Sequence, residues 1–118
     1  MRSPLGLAMW MLFAAGASAA TTPPEPLSRD EIKSLFGSGA PFTATVSARP
    51  YTVALKPDGT GAMIPKTGTI GRNGTWRLTE DGLCTTWGKD PEQCFTVQRS
   101  GAKYEVLRGG KLAAVWTK

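Results

Sequence analysis

Cys84 and Cys94 fall in one stretch, GTWRLTEDGLCTTWGKDPEQC (Gly74–Cys94), together with two of the four tryptophans of the chain. Paired cysteines can exchange electrons, hold a metal or lock a fold. Redox catalysts favour Cys-X-X-Cys at a helix start, where the thiolate is stabilised. Here nine residues intervene and both cysteines lie in strand-like runs. A metal centre needs further nitrogen or sulfur ligands, and the 118-residue chain has no histidine. No metal and no cofactor is expected. The same lack removes the commonest general base and every Ser-His or Cys-His nucleophile.

Carboxylates are the remaining acid–base inventory. Asp58, Asp81 and Asp90 sit in turns, where the side chain usually bonds the local backbone. Asp30 and Glu31 suit a helix start. Nothing in the spacing of Glu80, Glu92 and Glu105 selects two of them as an acid and a base for sugar chemistry. Gly37–Gly39, "GSG", follows a helix instead of opening one, so no phosphate-cradling loop is present. The expectation is a protein that is not an enzyme.

A structural bond suits the cysteines better. In a hairpin with arms Leu83–Trp87 and Cys94–Arg99, Cys84 opposes Cys94, Leu83 opposes Phe95 and Thr85 opposes Gln93. Directly opposed residues bring their Cβ atoms within about 4.5–5.5 Å, and a disulfide needs about 3.5–4.5 Å. Asp90-Pro91 opens the turn between the arms. Alternation puts Leu83, Trp87, Phe95 and Val97 on the core face and both cysteines on the other. Trp76 and Leu78 join the core from the preceding strand. Trp76, Trp87, Tyr104 and Trp116 are the candidate core or ligand-binding aromatics.

These residues must be held by short strands. Runs at Phe42–Ser47, Tyr51–Lys56, Thr60–Ile64, Thr75–Thr79, Leu83–Trp87, Cys94–Arg99, Lys103–Leu107 and Leu112–Thr117 are separated by PDG, NG, DG, SG and GG turn signals. Thr67–Arg72 reads as a bulge or an irregular crossing. Ahead of them, Ser28 caps a short helix, with Glu31 completing a capping box and Leu27 stapling onto Ile32. Ile32, Leu35 and Phe36 form its apolar stripe, and Gly37 ends it. The fold class is therefore mainly β. Seven to eight short strands, preceded by one short helix, form a small antiparallel barrel or a sandwich that hides its edges.

The chain opens on MRSPLGLAMWMLFAAGASAA: Arg2, an apolar run from Leu5 to Ala17, then small residues that fit cleavage after Ala19 or Ala20. The run is shorter than the about 20 apolar residues of a membrane anchor. Residues 1–20 are expected to be a cleaved secretory signal, 21–26 a proline-rich leader and 27–118 a single β domain. The mature protein is expected to be periplasmic or secreted and not membrane-spanning. Such compartments permit the disulfide. The basic excess looks concentrated at the end of the chain. Arg99, Lys103, Arg108, Lys111 and Lys118 face Glu105 alone, which marks them as candidate contacts to an anionic envelope component. A solvated sheet edge blunted with lysines is the simpler explanation of the same residues. Nucleic acid is not an expected partner, for want of a basic–aromatic run.

EIKSLFGSG, PDGTG, GTWRLTEDGLCTTW and CFTVQRSGAKYEV, in that order, resemble a family of small exported proteobacterial proteins of unknown function. The resemblance spans about Leu27 to Trp116 and implies an extracytoplasmic β domain with a Cys84–Cys94 disulfide. It brings no activity. Gly74-Thr75-Trp76 is also similar to the Gly-x-Trp of lipocalins, where it lies near the start of an eight-stranded barrel. Only about 42 residues follow it here, which argues against a large ligand cavity. The functional expectation is an envelope-maintenance or binding module with an unidentified envelope protein as partner. The rivals are a hydrolase inhibitor, for lysozyme as an example, and a carrier of a small hydrophobic ligand.

Overall fold

The structure is a computed structural model that describes residues 23–68 and 70–118. The signal segment and its cleavage site lie outside the described residues. Nine strands and one helix follow in the order β1 (Glu25–Pro26), α1 (Arg29–Phe36), β2 (Phe42–Val46), β3 (Arg49–Leu55), β4 (Thr60–Pro65), β5 (Arg72–Leu78), β6 (Gly82–Trp87), β7 (Gln93–Ser100), β8 (Lys103–Arg108) and β9 (Lys111–Thr117). From β2 to β9 each strand pairs antiparallel with the next, and β9 pairs back onto β2 with Ala44 opposite Trp116. Closure settles the choice between barrel and sandwich: this is an eight-stranded up-and-down barrel, with no sheet edge left along most of its wall.

The inward ladder runs around the barrel as alternation requires. Leu55, Gly61, Gly74 and Trp87 are successive partners across β3 to β6. Arg99, Tyr104, Trp116 and Ala44 continue another rung through β7, β8, β9 and β2. The Gly-x-Trp motif lies in β5. A Cβ on Gly74 would collide with the Thr86 carbonyl and come within 2.8 Å of the Trp87 ring, so the indole lies against a wall that only glycine permits.

The barrel is plugged at one end by α1. Ser28 accepts from the Glu31 amide and the Glu31 carboxylate accepts from the Ser28 amide, completing the reciprocal cap. Ile32 and Phe36 are fully buried. The Phe36 ring meets Phe42, Tyr104 and Trp116 edge-on at centroid distances of 4.8–5.0 Å, within the favourable range for aromatic pairs. Trp76 closes the other side of the plug, where its indole Nε1 donates to the Lys56 carbonyl at 2.7 Å.

The last two residues of the proline-rich leader, Glu25 and Pro26, form β1 against the barrel wall. β6 begins at Gly82, opposite Thr96, so the rest of β7 has no neighbour on that side. Glu25 and Pro26 fill the gap opposite Arg99 and Gln98, and the Leu27 amide donates to the Val97 carbonyl at 2.8 Å. Proline is tolerated there because β1 is an edge strand.

Candidate functional site

The cysteines join as expected. Cys84 opposes Cys94 in the β6–β7 register, their Cα atoms are 4.0 Å apart and their sulfurs are bonded. The bond lies on the outer face of the wall. Arg77, opposite Cys84 on β5, reaches across β6 to make two hydrogen bonds of 2.9 Å to the Glu92 carboxylate. These bonds hold the Glu92 carboxyl below its ordinary value and raise the Arg77 guanidinium above its own. The Glu92 carboxylate lies within 4.8 Å of both sulfurs, but bonded sulfurs offer no thiolate to a metal. The cluster is a brace on the wall.

The chemistry-bearing interior lies at the end of the barrel away from α1. Below the plug the inward positions are bulky. Toward the open end Ala44, Val46 and Val53 line a cavity of about 520 Å³ between the strands. Tyr51 and Leu55 of β3, Met63 of β4, Trp87 of β6 and Phe95 of β7 line it too, and polar groups make up about half of its surface. Trp116 lies at its inner end, where it also packs on Phe42 and Phe36. An eight-stranded barrel has an interior just wide enough for packed side chains or for one small ligand. α1 packs into one end, and the cavity opens at the other. The expectation against a large cavity is thus corrected. The position of the Gly-x-Trp motif in the fourth barrel strand does not prevent closure, since β2 to β4 precede it.

Polar groups gather at the mouth. Arg72 opens β5 and donates through Nη2 to the Trp87 carbonyl at 2.9 Å and to Asp90. That ion pair ties β5 to the β6–β7 turn. Arg108, Ser47 and Gln93 also line the opening, and among the described residues Arg108 makes no ion pair. Asp90 is the single carboxylate of the cavity lining, and Arg72 occupies it. The arrangement suits capture and orientation of a guest more than bond breaking.

The nominated aromatics divide. Trp87 and Trp116 line the cavity, whereas Trp76 and Tyr104 belong to the packing around α1. The nominated cations divide too. Arg99 lies over the Tyr104 ring near Glu25 and Glu31 at the plugged end. Lys103 begins β8 at that end, and Lys118 donates to the Leu35 carbonyl there. Arg108 and Lys111 flank the β8–β9 turn at the open end. Met63 and Arg72 were not nominated from sequence, and an inward register beside the Thr67–Arg72 crossing was the signal for both.

Among the described residues no helix is long and apolar enough to cross a membrane. Comparison with protein-family models, with curated proteins and with solved structures finds no match to this chain.

Proposed function

We propose that this is an exported, non-enzymatic binding protein that carries a small apolar ligand in the open half of its barrel. The observation that supports this reading is the cavity of about 520 Å³, walled by aliphatic and aromatic side chains and open at one end. Ligand pockets commonly measure about 300–1,000 Å³ and are mostly apolar, with a few placed polar groups. The non-enzymatic part of the reading is supported by the inventory. The chain lacks histidine, and the cavity's one carboxylate is already paired with Arg72. Export, and membership of the family of small exported proteobacterial proteins, belong to the same proposal. Export rests on the signal-like opening of the chain and the disulfide, and membership on the ordered motifs between Leu27 and Trp116.

Trp87 and Trp116 make the reading testable by intrinsic fluorescence. Titration with dodecanol is expected to give a saturable change with micromolar affinity. Ala44→Phe, which places a ring in the cavity, is expected to abolish it while the thermal transition persists. A flat titration with dodecanol would dismiss the carrier reading.

A further inference from the structure

The open end differs from the rest of the molecule in two independent ways. The first is charge. The segments joining strands there are 47–49, 65–72, 87–93 and 108–111. They bring together Arg49, Lys66, Arg72, Lys89, Arg108 and Lys111, from four separate places in the chain. The acids at this end are Asp90 and Glu92, each held in an ion pair with an arginine. Of the 13 cations and nine acids among the described residues, this leaves seven of each for the remainder of the barrel. The net charge of the described protein therefore sits wholly at one end.

The second difference is apolar exposure. Among the described residues four large aliphatic side chains are exposed: Val46 at 37%, Ile64 at 47%, Leu112 at 59% and Ile70 at 83%. Val46 ends β2, Ile64 lies one residue from the end of β4, Ile70 is in the β4–β5 segment and Leu112 is the second residue of β9. All four are at the open rim. Exposed aliphatic groups gathered in one region mark an interaction surface, whereas singly scattered ones do not, and among the described residues the plugged end has none of the large ones.

We infer that the open rim is a docking surface for an anionic lipid bilayer, which it meets with the cavity mouth facing the membrane. The pairing of charges with aliphatic tips selects this occupant. Cations near an anionic leaflet gain about 1 kcal/mol each, and interfacial binding adds burial of apolar tips at the headgroup boundary. A purely polyanionic partner would use the cations and leave Ile70 and Leu112 in water. Three of the four segments that carry the cations, 47–49, 65–72 and 108–111, also carry or adjoin the aliphatic groups, so both contacts form in one orientation. This surface goes beyond the carrier reading and does not depend on it. Vesicle binding is tested through Lys89, Lys111 and Ile70, none of which lines the cavity, so failure of the rim and failure of the carrier reading are distinguishable.

The experiment is flotation of the purified protein with two vesicle types, phosphatidylcholine alone and phosphatidylcholine mixed with phosphatidylglycerol. The protein is expected to float with the mixed vesicles only, and to be released by salt. Lys89→Gln combined with Lys111→Gln should weaken binding about 25-fold, at about fivefold per charge. Ile70→Ser should weaken it several-fold, while Lys33→Gln combined with Lys103→Gln, at the plugged end, leaves it unchanged. All of these positions are on the surface, and unchanged thermal midpoints confirm folding. Failure to bind the mixed vesicles, or equal loss from the plugged-end pair, overturns the inference. Binding to polyglutamate as tight as to vesicles and indifferent to Ile70→Ser also overturns it, and makes the rim a site for an acidic protein.

Discussion

At Cys84 a covalent bond and an ion pair coincide on one patch of wall. Closing a loop of ten residues is worth about 2.5–3 kcal/mol in the chain-entropy model. Cys84→Ser combined with Cys94→Ser is therefore expected to lower the thermal midpoint by about 10–20 °C for a domain of this size, readable by circular dichroism. The Arg77–Glu92 pair over the same strand is solvent-exposed, and its signature is a pH dependence. The Glu92 carboxyl is held low in the folded state by its hydrogen bonds to Arg77. Its contribution is full above the ordinary carboxylate value and is lost as pH falls through the lowered one. The gap in midpoint between wild type and Glu92→Gln should thus be widest above about pH 5 and should close on acidification. The cysteine pairing was legible because a short Asp-Pro turn fixes the register of its two arms. The Arg77–Glu92 contact was not, because it skips a strand, and nothing in local spacing says which side chains meet across an intervening neighbour.

The helix shows how much a short element can decide. Its cap, staple and stripe were all readable, since each depends on residues three or four apart. What it covers was not. Phe36 meets rings from β2, β8 and β9, and Gly37 lets the Trp76 ring approach where a Cβ would come within 2.6 Å. Those meetings depend on closure of the barrel. Ser28→Ala should cost about 1 kcal/mol through loss of the cap. Phe36→Ala should cost about 3–5 kcal/mol, because the plug loses its central ring. Chemical denaturation of both variants checks the ratio. Similar losses for the two would mean that α1 rests on the barrel mouth without filling it. β1 was missed for a related reason: two residues carry no periodicity, and only the unequal lengths of β6 and β7 create its place.

For the whole molecule, alternation and turn signals located all eight barrel strands, because most of these features are local to one hairpin. The Asn73-Gly74 turn signal was the exception, since both residues lie within β5 and pair with Ala62 and Gly61 of β4. The pairing of β2 with β9 joins the two ends of the meander, and no local pattern announces it. The cavity was equally hidden, since it is the volume left after eight strands and a plug have been placed. Charge misled for the same cause. Read along the chain, the cations looked like a C-terminal feature; in the fold, Lys103 and Lys111 lie at opposite ends while Arg49 and Arg108 share one. Proximity in a barrel is set by which turn a residue occupies, and successive turns alternate ends.

That alternation has a parity. A meander with an even number of staves brings its last stave back to the rim from which the first departed. β2 starts and β9 finishes beside the α1 plug, and β1 lies there too. Any anchor or fusion joined near Glu25 or Lys118 would consequently grip the bottom of the vessel and leave its lip unobstructed.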